Sequence, residues 1–116
     1  MIRNFQDLIV WKRGHELVLA IYTLTKRFPG EERYGLAAQV RRSASSICAN
    51  IVEGYKKSTK DFIRFLDIAQ GSLEETKYHI LLARDLGYLE QNDYKHLTAL
   101  SDEVGLMLNS LIRKLR

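Results

Sequence analysis

Leu36-Ala-Ala-Gln-Val-Arg-Arg-Ser-Ala-Ser-Ser-Ile-Cys-Ala-Asn-Ile-Val-Glu-Gly54 is the stretch that decides the fold. Leu36, Val40, Ala44, Ile47 and Ile51 recur at steps of three and four, the period of a helix with one buried face. At about 100° per residue, Gln39, Arg42, Ser46, Asn50 and Glu53 make a polar stripe roughly 120° from that row. The remaining arc holds Ala38, Ser45, Ala49 and Val52, small and uncharged where a surface helix ordinarily carries Lys and Glu. Small side chains let a second backbone approach closely. The stretch therefore predicts a helix packed on two sides, one against its own bundle and one against another copy, hence a homo-oligomer. The plainer alternative is a helix simply rich in good helix formers.

Three more blocks with the same period surround it. From Phe5 to Lys26, Leu8, Trp11, His15, Val18 and Tyr22 form one apolar row and Val10, Leu17, Ile21 and Leu24 a second beside it. Phe28-Pro29-Gly30 ends that block, because proline disfavours helix at the residue before it and glycine eases the turn. The second block begins between Glu31 and Leu36, with both glutamates suited to a helix N-terminus, and Gly54 is its expected stop. The third opens on Ser58 or Thr59 as N-cap and runs through Phe62, Phe65, Ala69, Leu73, Thr76, Ile80 and Ala83. Gly87 stands where a left-handed residue closes a helix. The fourth is expected to be capped by Asn92, with Leu97, Leu100, Val104, Met107 or Leu108, Leu111 and Leu115 as its stripe and Arg113, Lys114 and Arg116 in the last turn. Near-equal lengths and short breaks predict an all-α, antiparallel up-down-up-down four-helix bundle, with residues 1–116 as one domain.

Composition bounds the chemistry. The chain has 116 residues, 46% of them hydrophobic, which suits a globular domain rather than a disordered one. A single cysteine, Cys48, excludes an internal disulfide framework and a multi-cysteine zinc site. The apolar run Leu8 to Trp11 is too short for a signal core or a membrane span, so a cytoplasmic protein with no membrane partner is expected.

Catalytic and metal patterns are missing. A di-iron bundle needs two Glu-x-x-His pairs, and the chain has none; the nearest spacing, Glu75-x-x-x-His79, reads as a surface contact. There is no His-Glu-x-x-His and no Gly-x-x-x-x-Gly-Lys phosphate loop. The Arg-x(4–6)-His pair of HEPN-type ribonucleases is lacking before His15, His79 and His96. His15 reads as a core or interface histidine, Cys48 as a small buried hydrophobe, and Ser43, Ser45 and Ser46 lack the glycines of a nucleophile elbow. The expectation is a non-enzyme with no catalytic residue, metal or cofactor.

Basic residues carry the functional signal. With 18 Lys+Arg against 14 Asp+Glu, the net charge is +4. Lys26, Arg27, Arg33, Lys56, Lys57, Lys60 and Arg64 gather toward helix ends and loops, where cations contact phosphates without reading sequence, and Arg41, of the Arg41-Arg42 doublet, joins them as a candidate contact. Ordinary solvated surface is the competing reading, and oligomerisation would favour nucleic acid by repeating the patch.

Several runs together carry a family resemblance. Asp7-Leu-Ile-Val-Trp11, Glu31-Glu-Arg-Tyr-Gly-Leu-Ala-Ala-Gln-Val-Arg-Arg42, Ser46-Ile-Cys-Ala-Asn-Ile-Val-Glu-Gly54, Phe62-Ile-Arg-Phe-Leu66, Ala69-Gln-Gly-Ser-Leu73 and Leu86-Gly-Tyr-Leu89 follow in order. They resemble the bacterial 23S rRNA intervening-sequence proteins, relatives of the accessory variability determinants of diversity-generating retroelements. That resemblance implies a four-helix bundle assembling as a homopentamer, without established catalysis. It also implies RNA or DNA, or an RNA-processing enzyme or reverse transcriptase, as partner. Gln39, Arg42, Ser46, Asn50 and Glu53 then form either a hydrogen-bonded seam between helices or subunits, the favoured reading, or the wall of a ligand channel. In the seam, Arg42 would meet a neighbour's Glu53, and Asn50 would meet backbone or Gln39.

Overall fold

Helix boundaries follow from local capping chemistry. In the computed structural model, which describes residues 1–116, the Asn4 side chain accepts from the Gln6 N–H while the Asp7 carboxylate accepts from the N–H groups of Arg3 and Asn4. This capping box closes a separate 3-10 turn over Phe5–Asp7. Leu8 is extended, so helix α1 runs Ile9–Thr25 and does not start at Phe5. Those backbone hydrogen bonds hold the Asp7 carboxyl below its ordinary range.

After Pro29, a second 3-10 turn, Gly30–Glu32, leads into α2, Leu36–Tyr55. Glu32 caps α2 by accepting from the Leu36 N–H at 3.0 Å, and its other oxygen accepts from the Tyr88 hydroxyl at 2.8 Å. Ser58 caps α3, Thr59–Asp85, through the Asp61 N–H. Gly87, at φ +82, ends α3: its N–H donates to the Arg84 carbonyl and that of Tyr88 to Ala83. This is a Schellman closure, with Tyr88 packed on Phe28. α4 is Gln91–Leu115. Its N-cap is Glu90, not Asn92, because Tyr88 and Leu89 dock on the Phe28, Leu36 and Ala37 cluster and fix where the chain enters the helix. No strand is present, and no helix is long and apolar enough to cross a membrane.

The four helices enclose one apolar core. Val10, Leu17, Ile21 and Leu24 from α1 meet Val40, Ala44, Ile47 and Ile51 from α2, Leu66, Ala69, Leu73 and Ile80 from α3, and Leu97, Val104, Leu108 and Ile112 from α4. Complete burial of side chains such as Leu17, Ile47 and Leu66 stabilises the fold by about 1.5–3 kcal/mol each. The other row of α1 borders this core: Leu8, Trp11 and Val18 are half-buried and pack against it, while His15 and Tyr22 are exposed.

Gly54 departs from its expected role. It sits inside α2, buried, and a Cβ placed there would lie 2.6 Å from Phe65 Cβ. It is a close-approach residue rather than a stop signal. Gly14 is similar and milder, with Cys48 Sγ 3.0 Å from where its Cβ would be. Gly71, in α3, faces open space. Gly54→Ala should therefore lower the urea-unfolding free energy by about 1–3 kcal/mol through overpacking. Gly71→Ala should raise it by about 0.5–1 kcal/mol through helix propensity.

Candidate nucleic-acid interface

The polar stripe of α2 faces two ways. On the α3 side, Ser43 and Thr76, both buried, bring their hydroxyls to 2.9 Å, and Ser46 and Ser72 do the same at 2.9 Å. Asn50 donates back to the Ser46 carbonyl at 2.8 Å. Further out, Arg42 donates to Glu75 at 2.8 Å and to Gln39 at 2.9 Å. Within the chain, then, the guanidinium of Arg42 is held by α3, and Glu53 is exposed with no cation within 4.0 Å. The structure thus joins Gln39, Arg42, Ser46 and Asn50 to the α2–α3 seam and leaves Glu53 outside it.

His79 belongs to the same seam. Its Nδ1 lies 3.3 Å from Ser43 Oγ, and its Nε2 lies 3.7 Å from a Glu75 oxygen. The side chain is only 11% exposed, so Glu75 and His79 are not the plain surface pair that their spacing predicts. Ser43, His79 and Glu75 have the outline of an acyl-transfer triad. Ser43, however, is 1% exposed, and its hydroxyl lies 3.2 Å from the Val40 carbonyl. No substrate carbonyl reaches it while α2 and α3 are packed. Cys48 is likewise buried, and burial pushes its thiol up to about 12, which keeps it protonated and unreactive.

The eight candidate cations do not form one patch. Lys26, Arg33 and Arg41 line a groove of about 240 Å³ beside Pro29 and Gly30. Arg41 is committed there to the fold: its Nε donates to Thr25 Oγ1 at 2.8 Å, and its guanidinium covers the Tyr22 ring at 4.7 Å. Arg27 pairs with Asp93 at 3.3 Å. Lys56, Lys57, Lys60 and Arg64 lie past the far end of α2, whose 20 residues span about 30 Å. Lys57 and Arg64 both stand over Phe65, at 5.7 and 4.6 Å from its centroid.

Two further surfaces stand out. On the flank shared by α1 and α2, His15 stacks on Trp11 at 4.9 Å, and Tyr22 continues the row. His15 is therefore a surface residue of the single chain, not a core histidine. On α2, Ala38 and Ala49 are exposed and Ser45 and Val52 half-buried. Between α3 and α4 runs a polar groove of about 550 Å³. Gly71, Lys77 and Gly105 line it, and Leu106, 71% exposed, stands at its edge. Sequence reasoning passed over this groove; Gly71 and Gly105 on facing helices were its only signal.

Four helices around one core, a hydroxyl-rich α2–α3 seam and cations at the helix ends define an all-helical four-helix bundle. Residues 6–110 match the 23S rRNA-intervening sequence protein family, and the chain belongs to that family. It is similar to a crystallised protein of unknown function from the S23 ribosomal protein family of Bacteroides thetaiotaomicron VPI-5482. The two share 31% identity over 90% of this chain and 96% of that one, with a TM-score of 0.83. No curated protein matches the chain.

The seam makes stability depend on pH. Burial holds the His79 pKa below its ordinary 6.5; Glu75 opposes this and Arg42 adds to it. The unfolded chain takes up a proton more readily than the folded one as pH falls through 6.5, so stability declines as pH drops through that value. His79→Asn should flatten this fall when urea-unfolding midpoints are compared on either side of pH 6.5. Asp7 and Glu32, whose carboxyls are held low, contribute stability that is lost only at more acidic pH, below the ordinary carboxylate range.

Proposed function

We propose that this chain is a non-enzymatic, nucleic-acid-binding bundle with antiparallel helices that works as a homopentamer. Arg27 reaching Asp93 joins the end of α1 to the start of α4, and Tyr55 donating to the Arg3 carbonyl joins the end of α2 to the segment before α1. Both contacts fit an up-down-up-down order. The α1–α2 flank supports assembly: Trp11, His15 and Tyr22 offer large flat rings, and α2 adds the small Ala38, Ser45, Ala49 and Val52. Complementary large and small surfaces on one face suit a second copy. Five subunits would carry about +20 from a monomer charge of +4, turning a mild excess into a field that attracts polyanions.

The observation that carries the nucleic-acid reading is the exposed trio Lys56, Lys57 and Lys60, none with a carboxylate within 4.0 Å. Unpaired lysines contact phosphates without sequence preference. The α3–α4 groove favours a second reading, in which the bundle is an accessory subunit for an RNA-processing enzyme or a reverse transcriptase, with Leu106 as an apolar anchor.

Two measurements test the reading. Affinity for a structured RNA and for duplex DNA should fall linearly with salt on logarithmic axes; a flat or absent response contradicts it. In light scattering, the protein should have a mass of about 67 kDa, five times its 13.4 kDa subunit. Ala49→Arg should shift this toward 13.4 kDa without loss of helicity. An unchanged mass would show that assembly uses another face.

A further inference from the structure

The +4 charge is unevenly spread along the bundle. Its middle is neutralised: Arg13 binds Glu16 and Glu103, Arg42 binds Glu75, and Lys77 lies near Glu74 and Asp102. The end holding residues 26–41 and 84–95 has six cations against five carboxylates, a net of +1. Two of the six are paired there, Arg27 with Asp93 and Arg84 with Asp85.

The other end is different. Arg3 and Lys12 come from the N-terminal segment and the first turn of α1, and Lys56, Lys57, Lys60 and Arg64 from the α2–α3 connection. The last turn of α4 adds Arg113, Lys114 and Arg116. The Tyr55–Arg3 hydrogen bond and the Arg116–Asp67 contact tie these segments together. Nine of the 18 cations are thus gathered at this end, against only four of the 14 carboxylates, Asp7, Glu53, Asp61 and Asp67. Asp7 is already held by backbone N–H groups, and the contacts of Asp61 with Arg64 and Asp67 with Arg116 are long, at 3.9 and 4.0 Å. The net of +5 exceeds the charge of the whole chain.

We propose that this end, centred on Lys56, Lys57 and Lys60, is the surface that takes the phosphodiester backbone of nucleic acid, and that the opposite end does not. The inference rests on the nucleic-acid reading above and gives it a location. The charges centred on Lys56, Lys57 and Lys60 are exposed lysines and arginines, so the contact is to backbone and tolerates sequence. Subunits sharing one axis direction would present this end on the same rim, and their fields would add.

The test uses two variants of the full chain with equal loss of charge. One is K56Q/K57Q/K60Q; the other is K26Q/R33Q/K95Q, at the opposite end. All six positions are exposed and outside any ion pair. Binding to an RNA hairpin and to a DNA duplex is followed across salt. The first variant should reduce the magnitude of the logarithmic salt slope by about 2–3, the value for three lost phosphate contacts, on both probes. The second should keep the wild-type slope. If the second loses slope and the first keeps it, or both lose equally, the location is wrong while the nucleic-acid reading stands. If the wild-type protein shows no salt-dependent binding, both fall.

Discussion

The bundle depends on how closely α2 lies against α3. Gly54 leaves no room between the two helices near Phe62 and Phe65, and a single added carbon would meet Phe65 at 2.6 Å. Only at such separation can side chains as short as Ser43, Ser46, Ser72 and Thr76 reach one another across the interface. Leucines there would hold the helices further apart, and the hydroxyls would then lose their bonds across the seam and keep only those to carbonyls of their own helix, Ser43 to Val40 and Thr76 to Ser72. As it is, no buried side-chain nitrogen or oxygen lacks a hydrogen bond. Each such bond contributes about 0.5–1.5 kcal/mol net, whereas leaving one group unpaired costs about 1–3 kcal/mol. The seam therefore selects one register of α2 against α3 more than it adds stability.

Fixing α2 in that register also sets what the surface offers. With Ser43 and Ser46 turned to α3 and Ala44, Ile47 and Ile51 to the core, Ala38 and Ala49 are left exposed and Val52 half-buried. The charges divide by the same geometry. Cations along the middle of the bundle find carboxylates on neighbouring helices, while Lys56 and Lys57 beyond α2 find none and Arg116 beyond α4 has only a long contact with Asp67, at 4.0 Å. A modest net charge then resides mainly at one end, which is why position along the bundle, rather than total charge, separates the two basic groups.

Much of this was legible in the sequence. Periods of three and four marked all four helices, and Ser58 and Gly87 closed α3 as capping rules require. The misreadings have physical causes. Glycine serves both as a helix stop and as a point of close approach, and Gly54 is the second because Phe62 and Phe65, on another helix, lie against it. Asn92 is a good capping residue, but the docking of Tyr88 and Leu89 started α4 before it. In the candidate site, the stripe from Gln39 to Asn50 was visible and so was the Glu75–His79 spacing, but not that Glu75 meets Arg42 and His79 meets Ser43. They stand 33 to 36 residues from the residues they bond, and no single-helix pattern carries that pairing. The candidate cations were singled out together by residue type and by their place toward helix ends, yet the length of α2 sends them to opposite ends.

The central claim is that the hydroxyl seam between α2 and α3 is structural, holding the helix on which every other surface depends. A double-mutant cycle on Ser43→Ala and Thr76→Val, read by chemical denaturation, tests it most directly. The account predicts that each single change destabilises and that the double change costs less than their sum, by about 0.5–3 kcal/mol. Additivity within about 0.3–0.5 kcal/mol would contradict it, showing that the two hydroxyls, 2.9 Å apart, act independently.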